Sequence, residues 1–269
     1  MSMASTVTVQ TCRQRSDSGH FLMPHPTNVR SRTERVPRGL PSSHRRRNDV
    51  RPNDSTLMLR RIIASEDSGA ARLRLPRREV VYGCYGADGD SSIYLVEKGY
   101  VKVVTPSRDG KECLLGIFTA GDIVGELCFS PADRCESLTT MTPAVLWRIP
   151  KLRLMALLDN AGVREEFVGY LAHRLLEQQQ LITHFVTVDS ERRLAAVLLH
   201  LARKMGWRDG SLLVINARIT QEEFAAMVGT TRSRVGVFLS RFIKSGAVYR
   251  GPGGVLGVHE SRLEALFAG

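Results

Sequence analysis

The chain has 269 residues, of which 43% are hydrophobic and 6% are aromatic, and its formal net charge at pH 7 is +11. No apolar run approaches the roughly 18 residues that a membrane-spanning helix needs, so we expect no membrane partner. A chain of this size has room for one large or two medium domains, and its positive charge favours an anionic partner, most commonly nucleic acid.

Residues 1–56 form the first segment, which is rich in Arg, Ser, Pro and Asn and contains no Lys. Such a composition cannot bury enough apolar surface to offset the entropy lost on ordering, so we expect a disordered basic extension. The arginine run at 45–47 could add non-specific affinity for DNA. The alternative is that translation begins downstream, for instance at Met58.

Short β-type runs separated by turns occupy the next segment, residues 57–162. The turns place Gly beside Asp, as at 88–90 and 109–110, and residues 107–112 favour a hairpin. Short strands at this spacing are typical of an antiparallel barrel or sandwich. We predict strands at 79–82, 92–96, 100–105, 112–118, 138–141 and 144–149.

Apolar residues recur at helical spacing between 163 and 188, a segment with one glycine and no proline. The apolar stripe of this predicted helix must be buried, either against the chain's own barrel or against a two-fold copy. The DNA-reading motif that follows favours the copy, because such motifs generally bind palindromic half-sites as dimers. The stripe consists of Phe167, Leu171, Leu175, Ile182 and Phe185, flanked by Leu181 and Val188.

A second helix is predicted at 189–205, where Asp189, Ser190 and Glu191 form a helix-start signal. Its apolar stripe predicts the core of a C-terminal domain that spans 189–269. The stripe consists of Leu194, Val197, Leu198 and Leu201.

Residues 219–248 have the spacing of a DNA-reading helix-turn-helix. Ala225 is small enough for the second helix to cross close to the first, and Gly229 four residues later suits a tight turn with positive φ. Val235 and Phe238 are placed to bury the inner face of the second helix. Residues 248–260 then predict two short strands around a Gly-rich turn, which is the pattern of a wing.

The outward face of the second helix carries short polar and cationic side chains, which suit phosphate contact and reading of the major groove. Arg232 can read a guanine edge, whereas Thr231, Arg234 and Ser240 suit phosphate. Arg250 on the wing suits backbone phosphate as well. The predicted DNA-binding residues are Thr231, Arg232, Ser233, Arg234, Ser240, Arg241 and Arg250, with Lys244 near the end of the helix.

The five cysteines and seven histidines show no metal-ligand or catalytic grouping. The sequence also lacks a phosphate-binding loop, a zinc-protease motif and a nucleophile elbow. We therefore expect reduced thiols in a cytoplasmic protein, no metal site and no enzymatic activity. The alternative use for the cysteines is redox sensing by Cys128 or Cys135.

Residues 65–269 resemble the cyclic-AMP receptor and fumarate-nitrate regulator (Crp/Fnr) superfamily of bacterial transcription factors. The matching blocks are 91–127, which contains the string Gly-Asp-Ile-Val-Gly-Glu-Leu at 121–127, then 188–204 and 219–248. The resemblance implies an α+β fold with an N-terminal antiparallel β-roll of jelly-roll type, a long dimerisation helix and a C-terminal winged helix-turn-helix. It also implies a homodimer that binds palindromic double-stranded DNA and works with RNA polymerase.

The same resemblance implies an effector site, with a cyclic nucleotide as the possible ligand and no certain cofactor. Gly125, Glu126 and Leu127 match the family loop at the cyclic phosphate and ribose. Counted back from the following strand, the family's Arg-Ser pair falls on Arg134 and Cys135. Counted forward from Glu126, it falls on Glu136 and Ser137. We prefer the first alignment, because the spacing of strands changes less than the length of loops. Gln178 and Gln179 fall where the family meets the base.

The recognition helix departs from the family pattern. Arg232 matches the family's first Arg, but Ser233 replaces a Glu and Val237 replaces the last Arg. The resemblance therefore implies a different half-site. Two other functions stay open at this point: a ligand-independent DNA-binding protein, and a thiol redox regulator that uses Cys128 or Cys135 beside Arg134.

Overall fold

The computed structural model describes residue 63 and residues 69–83, 91–107, 109–130 and 134–266. The extension predicted at 1–56 lies outside these residues. Within them, no helix is both long and apolar enough to cross a bilayer.

The N-terminal half contains the strands β1 (Ala71–Leu75), β2 (Val80–Tyr82), β3 (Ser92–Lys98), β4 (Val101–Pro106), β5 (Glu112–Phe118), β6 (Ile123–Val124), β7 (Ser137–Thr140) and β8 (Ala144–Pro150). They form two four-stranded antiparallel sheets that face each other, with strand orders β1-β8-β3-β6 and β2-β7-β4-β5. Val101 and Leu138 of one sheet pack against Tyr94 and Leu146 of the other, and all four side chains are buried. All six predicted strands are present, whereas β1 and β6 were not predicted.

A short helix, α1 (Lys151–Leu157), leads into the long helix α2 (Ala161–Thr187). Asn160 starts α2 by accepting hydrogen bonds from the backbone N–H groups of Gly162 and Val163 at 3.0 and 3.2 Å. Near the start of α2, Phe167 and Tyr170 are buried on the roll, and the Tyr170 hydroxyl donates to the Ile123 carbonyl at 3.0 Å. Further along, the predicted stripe is exposed at Leu171, Leu175, Ile182 and Phe185.

The C-terminal half is a winged helix-turn-helix. Its elements are α3 (Ser190–Met205), β9 (Trp207–Asp209), β10 (Leu212–Ile215), α4 (Gln221–Val228), α5 (Arg232–Lys244), β11 (Val248–Arg250), β12 (Leu256–Val258) and α6 (Glu260–Ala265). Asp189 caps α3 as predicted, accepting from the backbone N–H groups of Glu191 and Arg192, and Leu194 and Leu198 are fully buried. A four-stranded antiparallel sheet with the order β11-β12-β10-β9 completes this half. The elements β9, β10 and α6 were not predicted.

The hairpin β4–β5 of the roll packs against α3 and α4. Leu114 and Ile117 from β5 belong to the same buried apolar cluster as the core of the C-terminal half. Two ion pairs border this contact, from Lys102 to Glu223 at 2.9 Å and from Lys204 to Asp122 at 3.0 Å. The roll therefore contacts the helix-turn-helix directly and not only through α2.

Candidate nucleic-acid interface and effector site

Helices α4 and α5 are joined by a tight turn at Gly229, whose φ is +68°. Its backbone N–H donates to the Ala225 carbonyl at 3.0 Å. Beneath the turn, Val235 and Phe238 are buried in the core, as the spacing of the motif predicts. The turn and the buried inner face thus hold α5 in position, with its outward face free of the core.

Both helices of the motif begin with a side-chain cap. Thr220 and Glu223 form a reciprocal capping box on α4: the Glu223 N–H donates to Thr220 Oγ1 at 3.1 Å, and the Thr220 N–H donates to Glu223 Oε2 at 2.9 Å. On α5, Thr231 Oγ1 accepts from the Arg234 N–H at 3.4 Å. Thr231, predicted to position phosphate, therefore also starts the recognition helix.

The side chains predicted to meet DNA are all exposed. Arg232 pairs with Glu222 at 3.0 Å and Arg241 pairs with Glu191 at 2.8 Å. Exposed pairs of this kind contribute only about 0–1 kcal/mol, so DNA phosphate can displace the carboxylates. Ser240 is less available as a donor, because its hydroxyl already donates to the Gly236 carbonyl at 2.8 Å.

The wing places further cations beside this face. Strands β11 and β12 flank a turn closed by a hydrogen bond from the Gly251 N–H to the Val255 carbonyl at 2.9 Å, and Arg250 is exposed on β11. Arg218, which the sequence did not single out, is also exposed and lies against the turn, with its Cγ 3.0 Å from an ideal Cβ built on Gly254.

In the roll, Arg134 is directed at the loop that begins with Gly125. One of its terminal nitrogens donates to the carbonyls of Ser92 and Gly125 at 2.9 and 3.2 Å. The guanidinium also lies 3.9 Å from the centre of the Tyr82 ring. Its Nε and Nη1 atoms are buried and lack hydrogen-bond partners among the described residues. Unpartnered buried donors are costly, so this group can accept an anion favourably.

The residue after the Arg134–Cys135 pair complicates this anion site. Cys135 is exposed, whereas Glu136 is buried and accepts a hydrogen bond from the Tyr82 hydroxyl at 2.8 Å. Burial raises the pKa of the Glu136 carboxyl above its usual range. Arg134 and Glu136 thus both contact Tyr82, and the negative charge of an ionised Glu136 would oppose an anion bound at Arg134.

Two family descriptions match the chain in the order of its two halves. The cyclic nucleotide-binding domain matches residues 72–161, and the Crp-like helix-turn-helix domain matches residues 192–266. The chain is 32% identical over 173 residues to the CRP-like cAMP-activated global transcriptional regulator of Mycobacterium tuberculosis, which covers 64% of this chain and 76% of the relative. The chain belongs to the Crp/Fnr superfamily. The matched relatives are transcription regulators, and the α+β fold expected from the sequence is confirmed.

More distant relatives and solved structures extend the similarity over most of the chain. The anaerobic regulatory protein of Bacillus subtilis is 24% identical over 214 residues, covering 78% of this chain and 89% of the relative. A CooA mutant from Carboxydothermus hydrogenoformans superposes with a TM-score of 0.62 at 23% identity, covering 78% of this chain and 94% of CooA. FixK2 from Bradyrhizobium japonicum gives 0.64 at 16% identity, with 73% and 96% coverage. These two structures share the fold.

Arg174 on α2 is a second residue beside the candidate sites that the sequence reasoning did not single out. Its Nε lies 3.2 Å from Glu126 Oε1, and its Nη1 lies 2.9 Å from Glu177 Oε2. The carboxylate that matches the family's ribose contact is therefore already paired. The Arg174–Glu177 spacing of three residues was a visible signal of a helical pair, but the contact with Glu126 was not.

The two glutamines predicted to meet a base differ in position. Gln178 is half-buried and lines a cleft of about 210 Å³ between β5, α2 and α3, together with Arg174. Gln179 is exposed and does not line that cleft. Leu127 is partly exposed after the loop. The structure thus brings Glu126, Arg174 and Gln178 to one region and leaves Gln179 on the outer surface.

The cysteines of the described region are all free thiols. Cys113 and Cys135 are exposed and Cys128 is buried. Among the described residues, no group of three or more His, Cys, Asp and Glu side chains could hold a metal ion. Cys135 is therefore the thiol that lies next to Arg134 and is open to solvent.

Proposed function

We propose that this Crp/Fnr regulator is a homodimer that reads a palindromic DNA site, with its β-roll biasing the orientation of the two reading heads. The observation that carries the proposal is α5, a capped helix on a buried core that presents Arg232, Ser233 and Arg234 to solvent. A helix N-terminus with short polar side chains and guanidinium groups suits phosphate contact and major-groove reading. Chromosomal DNA as partner implies a cytoplasmic location, and RNA polymerase is the proposed protein partner.

The proposed organisation has an extension at 1–56, an effector domain at 57–162, a dimerisation helix at 163–188 and a DNA-binding domain at 189–269. The dimerisation helix is supported by the apolar residues that α2 leaves in solvent: Leu175 is 60% exposed and Ile182 is 63% exposed. They lie on one stripe, which a second α2 can cover. Two paired helices would then place two copies of α5 on successive half-sites.

The dimer can be tested by charging the stripe. Leu175→Asp and Ile182→Asp place a carboxylate in the proposed interface, so sedimentation should show a loss of dimer. Leu152→Asp is the matched control, because Leu152 is 81% exposed on α1, away from the stripe. A dimer that survives both stripe substitutions would contradict pairing through α2.

The structure supports a route by which an effector could bias the reading heads. Arg174 contacts Glu126 in the roll and also lies 4.9 Å from the centre of the Phe118 ring. The Lys204 ammonium, on α3, lies 4.7 Å from the same ring and pairs with Asp122. An effector that binds one arrangement of this cluster better than another would shift the population of DNA-competent heads.

A cyclic nucleotide is the proposed effector. It is supported by the cyclic nucleotide-binding family match over 72–161 and by the unpartnered buried nitrogens of Arg134. The M. tuberculosis relative carries cAMP activation in its name. The second candidate is ligand-independent DNA binding, which is favoured by the buried Glu136 carboxyl beside Arg134 and by the occupation of Glu126 by Arg174.

Fluorescence anisotropy on the full chain tests both candidates. The chain is titrated against its own upstream DNA at fixed salt, with and without cyclic AMP. A tenfold or larger tightening, about 1.4 kcal/mol of coupling, that disappears in Arg134→Ala supports the nucleotide site. Tight specific binding that does not respond to the nucleotide supports the ligand-independent candidate.

Arg232→Ala should bring the affinity for the specific site close to that for random DNA, and unchanged discrimination would contradict reading by α5.

A further inference from the structure

Val237 is an exposed apolar side chain on an otherwise polar recognition face. It is 51% exposed on α5, although valine is usually buried. The four buried residues of this helix are Val235, Phe238, Leu239 and Phe242. Val237 therefore does not serve the core and is available for contact with a partner on the outward face.

The helical geometry places Val237 near the middle of that face. Successive residues of a helix are about 100° apart around its axis. The four buried residues of α5 define its inward direction, and the opposite, outward direction lies within about 30° of Val237. Ser233, Ser240 and Lys244 lie within the same angle. Arg232, Arg234 and Arg241 lie about 70° to 110° to either side. The arginines thus flank a central row in which Ser233, Val237 and Ser240 are small and Lys244 lies at the end of the helix. The small side chains let the helix approach the floor of the groove closely.

The two serines of the central row already have hydrogen-bond partners within the chain. The Ser240 hydroxyl donates to the Gly236 carbonyl at 2.8 Å, and Ser233 Oγ lies 3.2 Å from Thr231 Oγ1. An isopropyl group at this place cannot hydrogen-bond a base. The thymine 5-methyl group is the apolar feature that the base pairs present in the major groove. Burial of that methyl against Val237 removes apolar surface of both groups from water.

We infer that Val237 is a specificity-determining residue that selects a thymine in each half-site through its 5-methyl group. The inference rests on the proposed reading of DNA by α5 and adds the chemistry of one contact to it. Val237 here takes the place of the family's last Arg on this helix, so the half-site should carry an A·T pair at the position that this side chain meets.

The test removes single methyl groups from the DNA. The preferred site is first selected from randomised duplexes with the full chain, and each thymine is then replaced in turn by deoxyuridine. At one thymine per half-site, the wild-type affinity should fall about fourfold per half-site, since burying one carbon group contributes about 0.8 kcal/mol. Fluorescence anisotropy measures each Kd at fixed salt.

Two variants separate this contact from general effects on the helix. Val237→Ala removes both γ-methyl groups and keeps only Cβ, so its affinity should change less than that of the wild type on replacement of that thymine. Ile243→Ala is the matched control: Ile243 is 40% exposed on α5 but lies about 90° from the centre of the outward face, so it should keep the wild-type sensitivity. Circular dichroism checks that each variant is folded.

The outcomes also distinguish this inference from the proposed function. A chain that selects no sequence from the randomised duplexes overturns the proposed function itself. Selective binding in which no thymine is sensitive to loss of its methyl group overturns only the role of Val237. The same holds if Val237→Ala retains the sensitivity of the wild type.

Discussion

Two glycines of the helix-turn-helix should respond to alanine in opposite directions. Gly229 ends α4 with a φ of +68°, and a Cβ there would lie 2.9 Å from Cε1 of Phe185. Gly236 lies inside α5, where a Cβ would meet the Gln221 side chain at 3.4 Å. The first position is strained for any L-residue with a Cβ, whereas the second has room for one.

The magnitudes follow from these contacts. In Gly229→Ala, the left-handed conformation costs roughly 1–2 kcal/mol and the clash adds about 1 kcal/mol, at the low end for overpacking, because Phe185 is partly exposed and its ring can move. In Gly236→Ala, the better helix propensity of alanine contributes about 0.8–1.0 kcal/mol. At about 2–4 °C per kcal/mol for chains of similar size, the melting temperature should fall by about 5–10 °C in the first variant and rise by about 2–4 °C in the second.

Thermal unfolding followed by circular dichroism measures both variants under one buffer condition. Gly229→Asn provides a control for the backbone, because asparagine adopts the left-handed conformation more readily than alanine, so it should melt above Gly229→Ala. The reasoning is refuted if both alanine variants shift the melting temperature in the same direction. It is also refuted if Gly229→Ala melts with the wild type.

Three further substitutions test individual contacts. Thr220→Ala removes the capping box of α4 and should destabilise the chain by about 1 kcal/mol in urea unfolding. Lys102→Ala breaks the half-buried ion pair with Glu223 between the roll and α4. We expect the free energy of unfolding to fall by about 1 kcal/mol, between the values for exposed and buried pairs, and proteolysis to be faster. The control Lys111→Ala, at an exposed position, should match the wild type. Glu136→Gln tests the buried carboxyl. Burial raises the pKa of Glu136 in the folded state, so the folded chain is favoured while this carboxyl is protonated. That contribution to stability is fully present below the ordinary carboxyl pKa and is lost as the pH rises through the raised pKa. The variant should therefore melt above the wild type at pH 8 and with it near pH 4; equal pH profiles would contradict the assignment.

Most of the strands that the sequence missed are exposed or very short. The exception is Leu212–Ile215, a buried strand that follows the Asp-Gly turn at 209–210 and was nevertheless not predicted. Val101–Pro106 and Glu112–Phe118 are separated by an Asp-Gly turn and contain apolar runs. Ala71–Leu75 is an edge strand with two arginines, and Ile123–Val124 has only two residues. Trp207–Asp209 is exposed throughout. Periodicity is a signal of burial, so an exposed or very short strand gives little of it.

The DNA-reading unit could be predicted from the sequence, whereas the arrangement of the candidate effector site could not. The DNA-reading unit is local in sequence: the turn at Gly229, the cap at Thr231 and the buried Val235 fall within seven residues, so spacing was sufficient to predict it. In the candidate effector site, Arg174 and Glu126 are 48 residues apart. A helical pattern shows which face of α2 carries Arg174, but the partner of that face depends on how the roll packs. The contact between α2 and the roll determines which side chains lie together, and no local pattern in the sequence predicts that contact.

The pairing of Arg174 with Glu126 limits what kind of ligand can act as effector. A ligand shifts an equilibrium only by the difference between its affinities for the two arrangements. Displacing Arg174 from Glu126 breaks an ion pair in which both side chains are 19% exposed, and a carboxylate left without its cation at this depth is costly. For the proposed cyclic nucleotide, the hydroxyl donors at Glu126 and the anion at Arg134 must together offset the loss of the Arg174–Glu126 ion pair.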